Sequence, residues 1–599
     1  MTKGMLILVV LCTSLLGGYL SPQWGITFFF LLIVLLFLTV KPDIRLGKDE
    51  VLSLLFSCCG VASVLYAADK WGAILFSGSL VAGSFFYVAL RNSSGWDTPL
   101  LKTIVLGGCI VGLCEALHQM DLLPHGLFYN PNPFSGFLTP LVPVSLYLYS
   151  KFRKDIYVAA SMLLVFANFI SASRSGVATM ILAFAAMGVF FYRGKDRTSV
   201  KALLLIFLVG FSSFLLFSEA KDVLIVKNAV GMLEKQPTAI TQRAYLLGTT
   251  FQVIRQAPLL GHGLNSFFAV MSTMSNPYVV YSSIHAHSLY LNILAELGIV
   301  GLLLFFSFIV TVLKGPVSSF FLLKIALLSF LFHNVVEYNF PPPTFQVLFY
   351  LLCAAIVQGK GTESSLFRIS GKPAKALSRL LALYFLLVHL FPICGFILLD
   401  RANAALQKGD MTKTVRYLFA STYFGYSVSA FPADAAQLLT DVYFASNMKD
   451  SKLLEIAEKN YMKALALNSL DGAEYVKVAS FYASTGRPDK AQAYLSKVIE
   501  KYPYHQEYRL ALARLYAGQG RSNEATEILE ASEAFLKKYA PLDPLRVEVL
   551  IDLARMYHNQ GDAGRAEGLM AKALRLKALL ESFTAPKEEK RDLSLLPAR

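Results

Sequence analysis

Apolar runs separated by short polar stretches fill the first 400 residues of the chain and then stop. The runs fall at 5–19, 24–40, 51–67, 71–90, 99–117, 134–150, 156–170, 175–192, 200–218, 288–313, 316–337, 343–358 and 377–399. Most reach the ~17–25 residues that a helix needs to cross a hydrocarbon core. The pattern predicts a polytopic α-helical membrane domain over residues 1–399 with thirteen spans. The run at 5–19 lacks a small-x-small cleavage site and leads straight into the next, so it reads as a first span rather than a secretory signal. One long polar interval, 219–286, breaks the alternation. It ends at His285-Ala286-His287, on the threshold of an apolar helix.

The remainder, 400–599, repeats. Ala479, Tyr482, Gly486 and Ala491 return 34 residues later as Ala513, Tyr516, Gly520 and Ala525. They return again as Ala554, Tyr557, Gly561 and Ala566, 41 residues further on, with Pro541 and Pro544 inside the extra length. A period of about 34 with small residues where two helices cross resembles the tetratricopeptide signature. The whole chain is therefore expected to be all-α, a membrane domain followed by a soluble α-solenoid. Leu406–Tyr443 reads as an irregular leading repeat and Ala585–Arg599 as a charged, frayed end.

Composition agrees with the pattern. Charged residues make up 16% of the chain, against about 25% in soluble domains. Of the net charge of +15, +11 belongs to residues 1–400 and +4 to 401–599. With Lys3 in the cytoplasm and the sides alternating, eighteen Lys and Arg fall in cytoplasmic loops. Two, Lys70 and Arg174, fall in short outer loops. This is the positive-inside asymmetry. It puts Gln119–Pro133, the loop 219–286 and the tail on the outer side. The basic excess is a topology signal, and no nucleic-acid motif accompanies it. The seven cysteines all lie in apolar runs and read as small buried hydrophobes, not as a disulfide framework or a zinc site.

Polar groups then collect at the outer face. Histidine has the unperturbed pKa nearest neutrality, so His285 and His287 suit proton transfer at a water–lipid boundary. Arg174, between Ser171-Ala172-Ser173 and Ser175-Gly176, is a cation at the end of a span, costly there unless it is paired or faces a polar cavity. Glu115 and His118, and His333, Asn334 and Glu337, lie at the same level. They can line the same cavity or serve as interhelical hydrogen-bond glue. In the loop, Leu247, Phe251 and Ile254 recur at helical spacing and predict an amphipathic helix on the membrane surface, ended by Pro258. Gly261-His262-Gly263 predicts a tight turn whose backbone N–H groups can meet phosphate.

In chain order, Ser171–Gly176, Arg243, Pro258, Gly261-His262-Gly263 and His285-Ala286-His287 before Glu296-Leu297-Gly298-Ile299-Val300-Gly301 resemble the O-antigen ligase family. That family includes O-antigen ligases, O-antigen polymerases and bacterial protein O-oligosaccharyltransferases. Gly126-Leu127-Phe128-Tyr129-Asn130-Pro131-Asn132 is similar to its Gly-x-Phe-x-Asn-Pro-Asn segment. The resemblance covers roughly residues 120–340. Ser288 departs from it, standing where the family has Asn after its recurring His; His287 is the match and His285 an accessory. The resemblance implies glycan transfer from undecaprenyl pyrophosphate to an acceptor hydroxyl on the periplasmic side of the bacterial inner membrane, with no cofactor and no metal. It implies His287, Arg174 and Arg243 as catalytic residues, and His285, Arg255, Gly261, Gly263, Asn130 and Asn132 as substrate-binding ones. The chemistry suits these side chains. A guanidinium offers pyrophosphate oxygens two donors and stays charged. An imidazole can take the acceptor's proton as it attacks C1, with inversion.

The acceptor can be lipid A-core, a growing polymer, or a protein brought by the tail, since solenoids offer grooves to partners. A lipid-linked glycan transporter is the reading from another class. It would need charged groups along a path through the bilayer and internal repeats, and the first 400 residues display neither pattern. A membrane scaffold for the tail gives no reason for the outer-face Arg and His set.

Overall fold

A computed structural model describes residues 2–16, 22–39, 43–119, 122–123, 128, 130–171, 173–220, 237–274, 283–314, 320–358, 365–424, 428, 430–445 and 451–584. The expectations for Gly126, Leu127, Tyr129, Ala172, much of the loop 219–286 and the end Ala585–Arg599 lie outside the described residues. Helices make up 82% of the structure, as expected for an all-α chain. The sheet among the described residues is one antiparallel ribbon, β1 (Asp43–Leu46) with β2 (Phe367–Ser370). Two compact units divide the chain. The first holds Met1–Phe268, Ser283–Leu398 and Tyr423–Ser427; the second holds Ala269–Ser282, Leu399–Thr422 and Val428–Arg599.

In the first unit, six described helices are long and apolar enough to cross a membrane: Lys70–Arg91, Asp97–His118, Arg174–Arg193, Arg197–Leu216, Leu289–Leu313 and Lys372–Gln407. Five shorter apolar helices join them: Gly4–Leu15, Ile26–Phe37, Ile156–Ile170, Phe321–His333 and Pro343–Val357. The run at 51–67 is also helical, Lys48–Ser63. The run at 134–150 is not one helix but two, Pro131–Leu138 and Leu141–Phe152. Pro140 sits at the joint and has no N–H to continue the ladder. Exposed apolar side chains such as Ile181, Leu182, Leu204 and Leu208 suit lipid as the surrounding solvent. Inside, polar contacts tie helices together: the Ser84 hydroxyl lies 2.7 Å from that of Ser57 and 3.2 Å from that of Tyr350. The cysteines are unpaired, but Cys353 alone is buried and Cys58 is exposed, so the sequence expectation of buried thiols holds for one of them.

The second unit is a series of helix pairs. Gly472–Ser484 packs with Pro488–Lys501, Gln506–Gly518 with Ser522–Tyr539, and Pro544–Asn559 with Ala563–Thr584. The repeated Ala479, Ala513 and Ala554 are buried, each at most 2% exposed, where a larger side chain would push the helices apart. The repeated Gly486, Gly520 and Gly561 end their helices with φ of +74°, +76° and +84°, a conformation that favours glycine. The repeated tyrosines lie beneath arginine: the guanidinium of Arg487 is 4.7 Å from the Tyr482 ring centre and that of Arg521 is 3.8 Å from Tyr516. A cavity of about 830 Å³ opens between the pairs, lined by Ala479, Ala483, Ala511, Arg514, Gly518 and Glu548 among others.

Candidate functional site

The helix Pro131–Leu138 starts the site. Asn130 caps it, its side-chain oxygen accepting from the Asn132 N–H at 2.9 Å, and Pro131 needs no partner at the first position. That turn aims the Asn132 amide in two directions. Its NH2 donates to Glu337 Oε1 at 2.6 Å, and its oxygen accepts from the Ser173 hydroxyl at 2.8 Å. Ser173 is in turn the cap of the helix Arg174–Arg193, accepting from the Gly176 N–H at 3.2 Å. Gly176 is required by the close approach of the two helices: a Cβ there would lie 1.5 Å from Ser135 Oγ.

The other oxygen of Glu337 meets the histidines. Glu337 Oε2 lies 3.7 Å from His287 Nδ1, with the Glu337 side chain 6% exposed and that of His287 37% exposed. His287 adopts φ +48°, an uncommon conformation for a residue with a side chain and one that clusters at functional sites. Its N–H donates to His285 Nδ1 at 3.3 Å, which makes that nitrogen an acceptor and leaves the His285 proton on Nε2. Burial, helped by the neighbouring His287, lowers the His285 pKa to about 4. The two rings stand edge to face, 4.5 Å between centres. Asn292 holds the loop from the helix, its oxygen accepting from the Ala286 N–H at 3.0 Å. His333 is fully buried and packs against Gly136 of the Asn132 helix.

So Asn132, Ser173, Glu337 and His287 form one bonded path, and its far end is the N-terminus of the helix that begins with Arg174. The Arg174 side chain is exposed and makes no hydrogen bond or ion pair among the described residues. A cation in the first turn also opposes the helix dipole, so Arg174 and the open N–H groups beside it together favour an anion. Of the other polar set, the ring of His118 bonds to the Leu123 carbonyl at 3.0 Å, and no described bond joins Glu115 or His118 to His287.

Arg243 and Arg255 are exposed on the helix Pro237–Gln256, and no described hydrogen bond or ion pair ties either to the histidines. The expected apolar stripe of this helix is corrected. Ile254 is buried with Val253, Thr249 and Thr250, whereas Leu247 and Phe251 are 45% and 46% exposed, in line with the two arginines. Threonines can face inward here because their hydroxyls bond to carbonyls four residues back, at 2.9 and 2.7 Å.

The Gly261-His262-Gly263 turn is corrected as well. Its N–H groups do not point at a ligand. The Gly261 N–H donates to Ala257 O, His262 to Ala295 O at 3.0 Å, and Gly263 to Glu296 O at 2.8 Å. Gly298, at φ +65° and ψ −168°, breaks the helix Leu289–Leu313 at that level. The freed Ile299 and Val300 N–H groups donate to Pro258 O and Leu259 O. The turn thus replaces the helix's own ladder across the break, which is why Gly261 and Gly263 have no donor left for phosphate. A Cβ on Gly298 would lie 2.2 Å from Leu259 O, and one on Gly261 would lie 2.3 Å from the Glu296 carbonyl carbon.

With this geometry in place, the likeness to known proteins can be stated. Residues 159–306 match the O-antigen ligase family model, and residues 482–534 match a tetratricopeptide-repeat model. The first match includes Arg174, Arg243 and His287 and leaves out Asn130, Asn132 and Glu337. No curated protein matches the chain. Among solved structures, a crystal structure of MamA protein is 16% identical over 34% of this chain and 98% of that one, with a TM-score of 0.24. YrrB, a tetratricopeptide protein with an unusual peptide-binding site, is 16% identical over 30% and 85%, with a TM-score of 0.21. Pseudomonas aeruginosa pilF is 18% identical over 32% and 86%, with a TM-score of 0.23.

Proposed function

We propose that the chain transfers an oligo- or polysaccharide from undecaprenyl pyrophosphate to an acceptor hydroxyl at the periplasmic face of the bacterial inner membrane. The observation that carries this reading is the bonded path from His287 through Glu337 and Asn132 to Ser173, next to the unpaired Arg174. It brings a base and an anion-binding group within reach of one substrate.

His287 takes the acceptor's proton as the oxygen attacks the sugar C1. The imidazolium that forms is stabilised by the buried Glu337 carboxylate, which the Asn132 amide holds in place. The C1–O bond to the pyrophosphate breaks on the opposite face, and the negative charge released goes to Arg174 and the helix start beside it. Arg243 and Arg255, flanking the exposed Leu247 and Phe251, supply further positive charge where the lipid carrier lies in the bilayer surface. The chain's own residues complete this step without a metal. Lipid A-core, a growing polymer and a protein all present suitable hydroxyls, and the groove in the repeat domain supports a protein partner for the tail.

The test is transfer by the purified full-length chain from a lipid-linked glycan, read by gel shift, with donor binding measured separately. His287→Ala should abolish transfer and keep donor binding. Wild-type-like transfer by that variant overturns the mechanism, and inhibition by a chelator overturns its metal-free form.

A further inference from the structure

We propose that the first unit also carries a binding site for the headgroup phosphate of an anionic phospholipid, where the β1–β2 ribbon meets the helix Lys372–Phe385. The ribbon's register places Arg45 directly opposite Arg368. Directly opposed side chains share a face, and like charges there are destabilising unless an anion lies between them. Ile44 and Leu46, on the other face, are 5% and 8% exposed, so the two guanidinium groups point outward; both arginines are exposed.

The helix adds three more cations. Lys372, Lys375 and Arg379 are all exposed and, at spacings of three and four, fall on one side. Ala374, Ser378, Leu381 and Phe385 are buried on the other, with the Ser378 hydroxyl donating to Phe37 O at 3.2 Å. The helix start has no side-chain cap, so its first N–H groups are also open to an acceptor.

Nothing in the neighbouring sequence neutralises this charge. Residues 365–399 contain no Asp or Glu. Asp49 and Glu50, just past the ribbon, are buried and already held: Tyr87 donates to Asp49 at 2.5 Å and Arg91 to Glu50 at 3.0 Å. The occupant is therefore an external anion. Leu366, Phe367 and Leu380, beside the cations, are 60%, 59% and 61% exposed. Charge followed at once by apolar surface fits a bilayer boundary, with phosphate at the arginines and acyl chains beyond them. A soluble anion gives no reason for those three side chains. The site is separate from the glycan-transfer residues: the 15-residue helix Pro343–Val357 lies between Glu337 and the ribbon, a length of about 22 Å.

The experiment uses the full-length chain in zwitterionic detergent, titrated with labelled phosphatidylglycerol and, in parallel, labelled phosphatidylcholine. The wild type should prefer phosphatidylglycerol, and the preference should fade as salt is raised. The Arg45→Gln, Arg368→Gln pair should bind it about 5- to 30-fold more weakly, from roughly 1 kcal/mol per basic residue near an anionic surface. The Arg45→Lys, Arg368→Lys pair keeps the charge and checks the fold; it should fall between the two. Equal affinity of the wild type for both lipids overturns the proposal, as does a Gln pair that binds like the wild type. Displacement of phosphatidylglycerol by millimolar inorganic phosphate overturns the lipid assignment in favour of a free-phosphate site.

Discussion

Asn132 donates to Glu337 at 2.6 Å while accepting from Ser173 at 2.8 Å, so one amide joins two segments 164 residues apart. Its donor face fixes the carboxylate beside His287, and its acceptor face fixes the cap of the Arg174 helix. Neither an acid nor an apolar residue can supply both. Asn132→Ala and Asn132→Asp should each slow transfer by about 10- to 100-fold, the equivalent of one lost charge-assisted hydrogen bond. Glu337→Gln should fall in the same range. Single-turnover transfer measures all three, and rates within twofold of wild type would mean that the path is only structural.

Arg174 is bonded to nothing described and sits at the unfavourable end of a helix dipole. Arg174→Ala should leave the melting temperature unchanged or slightly raised while weakening both donor binding and transfer. Arg174→Lys should recover little, since it loses the two-pronged contact. A variant that melts well below the wild type contradicts this picture of a cation held for a ligand.

Gly298→Ala tests the interlocked turn. The new Cβ meets Leu259 O at 2.2 Å and the backbone keeps φ +65°. Positive φ and a backbone clash together should cost about 2–4 kcal/mol, read as a lower melting temperature with transfer lost. Gly261→Ala should behave alike, for its Cβ strikes the same crossing from the other side. Unchanged melting in both would show that the break is not locked by the turn.

The pH dependence of stability should carry a His285 contribution. Its folded pKa, about 4, lies below the ordinary histidine value near 6.5. Between those values the unfolded chain binds a proton that the folded one does not, so stability is complete above pH 6.5 and is lost as pH falls toward 4. The contribution is at most ~3 kcal/mol. Melting of the wild type between pH 7 and 4.5, set against His285→Gln, isolates it. The variant's curve should be flatter, and parallel curves would remove His285 as the source.

The helices and the repeats were legible because each is written in local spacing: apolar runs for the first unit, Ala-Tyr-Gly-Ala for the second. The prominent residues of the site were legible for a similar reason, since Arg174 and His287 are polar groups out of place at the ends of apolar runs. Their partners were harder to read. Glu337 stood out only as one of several acids and imidazoles, and nothing local tied it to Asn132, because a side-chain bond between distant segments leaves no periodic trace. Ser173 was visible only as part of a serine-rich stretch. The Gly-His-Gly turn displayed its donors in sequence but not the carbonyls that occupy them. Gly298 lay inside an unbroken apolar run, where hydropathy cannot register a change of hydrogen-bond partner. The surface helix was read by its apolar spacing alone, and the inward threonines that satisfy themselves on their own backbone rotated the true buried face.

The exchange of bonds at Gly298 also sets a timetable for assembly. A broken helix entering lipid with bare carbonyls and N–H groups faces several kcal/mol for each one left open. Here the segment that closes the gap, Pro258–Gly263, precedes the gap in the chain. A ribosome working from the N-terminus therefore delivers the plug before the socket, and the helix can enter the bilayer with its mate already waiting outside.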